Sequence, residues 1–207
     1  MWIRAYMLIS VLFLMCTSHV YAEPVNDSLS GNEPRARKRF YTPDYFPLQY
    51  AGNIGLLSSG VGYQGRKDNY QLSVVYGFAP ASVTGVNIHT VTGKNIFHLY
   101  KFPVHDKHTI LPYAALGLSL ELGGRSFFFQ PDNMPSGYYD FPKSIHAIAS
   151  AGLKFRYMTN DLKGFQGIEF FAEASTIDAY IWYKFLSRDV TMSQICSLAL
   201  GVHLLRK

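Results

Sequence analysis

The chain has 207 residues, a formal net charge of +5 and two cysteines, Cys16 and Cys196. That length suits one domain, large enough for a closed barrel of eight strands and too short for a large pore. With Cys16 inside the leader described next, a single cysteine remains, which excludes a disulfide-stapled secreted module.

Residues 1–4 make a short cationic start, 5–15 are apolar but too few to span a bilayer, and Val20-Tyr21-Ala22 places small residues where a signal peptidase reads. Residues 1–22 therefore read as a cleaved secretory signal, with a free amino terminus expected at Glu23. A lipoprotein signal ending at Cys16 is the rival, but Met15 is too large for the residue before a lipidated cysteine. Residues 23–39, EPVNDSLSGNEPRARKR, carry too little apolar surface to order themselves and read as a flexible basic lead. The run Arg35-Ala36-Arg37-Lys38-Arg39 also resembles a polybasic processing site; a solvated linker is the plainer reading. Much of the positive charge sits in that run, and an exported chain is not expected to meet nucleic acid.

Residues 40–207 read as one β domain, because apolar and minor side chains alternate with period two. Tyr70, Leu72, Val74, Tyr76 and Phe78 oppose Gln71, Ser73, Val75 and Gly77. The division recurs in AALGLSLEL (114–122), IHAIASAGLKFRY (145–157), GIEFFAEAST (167–176) and CSLALGVHL (196–204), where Cys196 reads as a small apolar strand residue. A soluble sandwich also alternates, but its polar face is typically rich in Lys, Glu, Thr and Gln. Here the minor face is mostly Gly, Ala and Ser with isolated charges, which suits the crowded interior of a narrow barrel whose apolar face meets lipid. Tyr63, Tyr70, Phe78, Phe155 and Tyr157 fall where interfacial girdles would lie.

Three polar turns, at 65–69, 103–108 and 159–165, alternate with a connection near Pro80 and two long ones at 123–144 and 177–193. The long segments share one side, expected to be outside, with the carboxyl terminus opposite. Seven strands are visible from about Leu57 onward; an even-stranded barrel needs an eighth, placed in 40–52 although its prolines fit a regular strand poorly. In the strand within 86–102 the apolar phase slips around Gly93, where a bulge is expected.

Taken together, the leader, the dyad repeats, the Gly-rich inner face and the long aromatic connections resemble the small eight-stranded outer-membrane barrels of the OmpA/OmpX type. The resemblance covers most of the mature chain and is one of pattern, without a diagnostic motif. It implies an all-β, antiparallel up-and-down transmembrane barrel in the outer membrane of a Gram-negative cell. The implied partners are outer-membrane lipid and lipopolysaccharide, the barrel-assembly machinery during biogenesis, and an extracellular ligand or protein at the outer loops; no cofactor is implied. One departure is the ending Leu204-Leu205-Arg206-Lys207, where such barrels usually finish on an aromatic residue.

Lipid-A-modifying enzymes share this architecture, so a deacylase or acyltransferase is the alternative. Such deacylases pair a serine with a histidine. His89, His98, His146 and His203 lie in strands, with Ser144, Ser150 and Ser197 near two of them, but no His-x-Ser pair shares a face, and no catalytic residue is assigned. The turn His105-Asp106-Lys107-His108 offers two metal ligands where three are expected, with a repelling lysine, so no metal is assigned. The inward charges Glu121, His146, Lys154, Arg156, Glu169 and Glu173 should pair, since unpaired buried charge is costly. They read as an ion-pair plug in preference to a gated proton or ion path, because eight-stranded interiors are normally filled by their own side chains. Arg125, Phe127, Phe128, Phe129, Tyr138, Tyr139, Tyr180, Trp182 and Tyr183 form the candidate external binding surface or contact the lipopolysaccharide layer. The resulting expectation is a barrel with a structural, adhesive or loop-mediated binding role. A soluble lipocalin-like binding protein is a further alternative, and it requires a hollow apolar interior.

Overall fold

The computed structural model describes residues 42–65, 68–123, 144–159, 162–186 and 191–207. Alternation of branched and aromatic side chains with small ones favours extended chain, and nine strands form: β1 (Tyr45–Ala51), β2 (Leu57–Gln64), β3 (Tyr70–Ala79), β4 (Ile88–His98), β5 (Phe102–His105), β6 (His108–Gly123), β7 (Ile145–Met158), β8 (Phe165–Ile177) and β9 (Ser197–Arg206). Among the described residues, three helices lie in the connections: α1 (Ala81–Thr84), α2 (Asp178–Leu186) and α3 (Met192–Ile195). Every pairing is antiparallel, β4 pairs directly with β6, and β9 returns to β1 from Tyr45↔Leu205 to Ala51↔Ala199. The result is a closed eight-stranded barrel, the fold expected of the OmpA/OmpX type. The four residues of β5 pair only with the start of β6, below the end of β4, and stand outside the eight.

β1 is the eighth strand, and its register shows how Pro47 is accommodated. Pairing with β9 is continuous through Pro47↔His203, whereas pairing with β2 lapses between Tyr45↔Gly62 and Leu48↔Ser59. A proline nitrogen has no hydrogen to donate, and the ladder is interrupted where that donor is missing.

The bulge expected at Gly93 is absent. β4 keeps one register against both neighbours, through Val74↔Gly93 and Gly93↔Leu118. The apparent slip in phase has another cause: Ile96 points inward beside Lys94, while Asn95 stays on the outward face, where its side-chain oxygen accepts the Tyr70 hydroxyl at 2.5 Å. Cys196 is also placed differently from expectation. β9 begins one residue later, and the thiol is exposed between α3 and the strand.

Three inward glycines have a more specific role than smallness. Tyr45, Tyr113 and Phe171 each lie over the glycine directly opposite on the neighbouring strand, Gly62, Gly152 and Gly201. A Cβ on Gly152 would sit 2.9 Å from the Tyr113 ring and one on Gly201 2.5 Å from that of Phe171, and the Tyr45 ring is closer still to Gly62. Glycine supplies the space in which a large ring lies flat against the wall, so the lumen fills without splaying the strands.

Candidate functional site

The interior is assembled by alternation. β7 turns Lys154 and Arg156 inward, β8 turns Glu169 and Glu173 inward, and β9 adds His203. Register then sets the partners: Glu169 lies opposite Arg156 on one side and His203 on the other. Its carboxylate accepts Nε of Arg156 at 2.6 Å, lies 3.0 Å from Nδ1 of His203 and is 3.5 Å from Nζ of Lys154. Lys154 also donates to Oε1 of Gln71, and it stands 5.0 Å over the Tyr113 ring. Lys154 and Glu169 are each no more than 1 % exposed.

The network extends both ways along the barrel. Toward the middle, Lys94 on β4 meets Glu173 at 2.5 Å, and the Tyr113 hydroxyl donates to the same carboxylate at 2.7 Å. Toward the end that carries the carboxyl terminus, Arg156 grips Asp68 of the β2–β3 connection, with Nη2 to Oδ1 at 2.9 Å, and Lys101 lies 3.5 Å from Asp68. Burial by itself would raise the Asp68 carboxyl, but the hydrogen bond and charge of Arg156 outweigh it and hold it below the usual carboxylate range. Around Glu169 and Glu173, among the described residues, three buried cations, Lys94, Lys154 and Arg156, thus face three carboxylates, Asp68, Glu169 and Glu173. Such a set is self-neutralising, and each member depends on the others to offset its desolvation. A void beside Lys94, Tyr113, Phe171 and His203 measures only about 10 Å³, near the lower limit for one water molecule.

The opposite end is filled differently. The β1–β2 connection folds inward, so that Ile54 is 3 % exposed and packs with Val75 and Ile148. The Thr90 hydroxyl donates to the Ile54 carbonyl, Asn53 donates to Ser175 at 3.2 Å, and Ser197 donates to Asn53 at 2.8 Å. Gly77 makes room for this segment, since a Cβ there would collide with the Ile54 carbonyl.

Of the residues singled out from sequence, Lys154, Arg156 and Glu169 meet directly, and Glu173 joins them through the shared barrel interior with Lys94 as its ion partner. His146 lies apart, with Nδ1 3.4 Å from Asp178 at the start of α2. There burial would raise the Asp178 carboxyl, but His146 and the backbone N–H groups of Ala147 and Ala179 lower it on balance. Glu121 stands opposite Thr90, nearer the Ile54 end than the Glu169 cluster. Sequence reasoning missed Lys94, Asp68, Gln71, Tyr113 and His203 as network members. Lys94 shares its phase with Thr90 and Thr92, and the bulge assumed at Gly93 obscured it.

Tyr180 and Trp182 lie on helix α2, each 40 % exposed, and Tyr183 belongs to the same helix. Arg125, Phe127, Phe128, Phe129, Tyr138 and Tyr139 lie outside the described residues. His89 is on the outer face with the Tyr76 hydroxyl 2.5 Å from Nδ1, and His98 Nδ1 is 2.9 Å from the Asp68 carbonyl. Among the described residues, no group of three His, Cys, Asp or Glu side chains is placed to hold a metal ion.

The outer wall completes the inversion. Leu57, Leu198 and Leu200 are 62 %, 74 % and 61 % exposed, and Leu48, Leu116, Leu153 and Phe170 extend the apolar surface around the barrel. Charge is inside and hydrocarbon outside, the reverse of a lipocalin-type cavity. No protein-family model, curated protein or solved structure matches the chain.

Proposed function

We propose that the chain is an integral outer-membrane barrel, exported behind a cleaved signal, whose lumen is a side-chain plug and whose role is exercised at its outer end. The observation that carries this reading is the inverted facing: Lys154 and Glu169 are buried while Leu198, Leu200 and Leu57 are exposed. In water, a continuous apolar belt of this kind would favour aggregation. In lipid the same belt is solvated, and a closed ladder leaves no backbone donor unpaired at an edge. The two longest connections, residues 124–144 and 178–196, leave the end opposite the carboxyl terminus, which supports placing the carboxyl-terminal end in the periplasm and those segments outside. Structural, adhesive or ligand-binding work then falls to those outer segments, with lipopolysaccharide as the surrounding lipid and the assembly machinery as a transient partner. The balanced ion network supports a closed lumen over a porin-like pore.

Fractionation with the outer membrane, together with a folded band that shifts on heating in gel electrophoresis, tests the reading. A mature chain recovered freely soluble without detergent would overturn it. A planar bilayer containing the purified barrel should show no steady conductance.

A further inference from the structure

The two rims of the barrel differ in charge. The segments at the carboxyl-terminal end, residues 42–44, 65–69, 99–101, 106–107, 159–164 and 206–207, hold seven Lys or Arg against four Asp, whereas the connections at the other end, 52–56, 80–87, 124–144 and 178–196, hold four against four. Two of the aspartates at the basic rim are already engaged, Asp68 with Arg156 and Asp44 with the Gln64 backbone N–H at 2.9 Å. Lys107, Lys163, Arg206 and Lys207 are exposed there. They occupy neighbouring positions around β6 to β9: the Met158 N–H donates to the Lys107 carbonyl at 2.9 Å, and the Lys207 N–H to the Gly164 carbonyl at 3.2 Å.

The β5–β6 hairpin projects from this rim with an apolar face. Leu99, Tyr100, Phe102 and Val104 are between 49 % and 67 % exposed, and the Tyr100 and Phe102 rings lie 4.4 Å apart. Register sets the order of side chains down the outer wall. Phe102 stands opposite Ile110, Ile110 opposite Phe155, and Phe155 opposite the exposed Phe170. The next outward row is His105, His108 and Tyr157, with the His108 ring stacked 5.0 Å from that of Tyr157. Beyond it comes the turn at Asp106 and Lys107. The wall thus passes from hydrocarbon through imidazole and phenol to ammonium, the order that suits a boundary between acyl chains and phosphates. β5 itself, four residues with Pro103 among them, is a poor template for a further strand.

We infer that the β5–β6 hairpin and the basic arc beside it bind anionic phospholipid of the periplasmic leaflet, with Tyr100 and Phe102 among the acyl chains and Lys107, Lys163 and Arg206 at the phosphates. The inference rests on the outer-membrane reading, which places this end of the barrel in that leaflet. Charge selects an anionic head group. The apolar face, continuous with the outer wall, selects a lipid over a soluble polyanion, which has no hydrocarbon to set against it.

The test is native mass spectrometry of the full chain purified in detergent and given equal amounts of phosphatidylglycerol and phosphatidylethanolamine. Wild type should retain phosphatidylglycerol in preference. Each basic group near an anionic surface is worth about a fivefold change in affinity, so Lys107→Gln, Lys163→Gln and Arg206→Gln in one chain should lower phosphatidylglycerol retention at least about tenfold and leave phosphatidylethanolamine unchanged. Lys107→Arg with Lys163→Arg should keep the wild-type preference. Tyr100→Ser with Phe102→Ser should lower retention of both lipids. A heat-shifted folded band for each variant shows that the barrel is intact. Equal retention of the two lipids by wild type, or a preference unmoved by the three Gln changes, overturns the site while leaving the membrane reading standing. Displacement of phosphatidylglycerol by polyglutamate, with the Tyr100→Ser and Phe102→Ser chain binding as wild type does, also overturns it and marks the rim as a surface for a soluble polyanion. A chain that is soluble without detergent and gives no heat-shifted band overturns the membrane reading, and the lipid site with it.

Discussion

The two ends of the lumen are filled by different physics. Around Glu169 the filling is ionic: Asp68, Arg156, Glu169 and Lys154 form one linked group, and Lys94 pairs with Glu173 beyond Tyr113. Around Ile54 it is an apolar cluster and neutral hydroxyl or amide contacts, made by a connection folded back into the barrel. An ionic filling is intolerant of losing one member, because the charge left behind stays desolvated. An apolar filling loses stability in proportion to the volume removed.

This contrast is sharpest when one member of each region is removed. Glu169→Gln leaves Lys154 and Arg156 without their shared counter-charge and should destabilise the refolded barrel by about 3–5 kcal/mol, read from its urea midpoint in lipid vesicles. Replacing Lys94 by Met and Glu173 by Gln together should cost less than either change alone, since the pair is removed as a unit. An additive result would show that these two groups are not coupled.

Ile54→Ala should cost about 2 kcal/mol, toward the lower end for a large-to-small core change because the cluster lies near the barrel mouth. Its effect should not depend on pH, unlike changes in the ionic region. Gly201→Ala drives a methyl group against the Leu48 carbonyl and the Phe171 ring and should cost roughly 1–3 kcal/mol, with Phe171→Leu in the same chain restoring only the part due to the ring. Gly93→Ala, which meets nothing within 4 Å, serves as the control and should stay within about 0.5 kcal/mol of wild type.

The smallest expected effect is acidic. Asp68 is held below its ordinary value of 3.8 in the folded chain. Its contribution is therefore complete above that value and is lost as the pH falls through the lowered one. Asp68→Asn should flatten this part of the acid-side decline in stability, and an unchanged profile would show that the Arg156 contact is not maintained in solution.

Much of this molecule was legible in one dimension. The inward set Gln71, Ser73, Val75 and Gly77, the inward charges of β7 and β8, and the apolar outer face all follow from period-two alternation, which depends only on neighbouring residues. Even β1, with Pro47, could be placed by requiring an even number of strands. What alternation leaves open is register. Asp68 and Arg156 are 88 positions apart, and Lys94 and Glu173 are 79 apart. Which inward cation meets which carboxylate is decided by how the strands slide as the barrel closes.

Length, alternation and the small minor face determined an inverted antiparallel barrel of eight strands. Only the closed tertiary structure paired Tyr113 with Gly152, drew Ile54 into the mouth and set Phe102 in one row with Ile110 and Phe155. The reason is geometric: the face a side chain occupies is local, whereas the neighbour it meets depends on a ladder that closes on itself between β1 and β9.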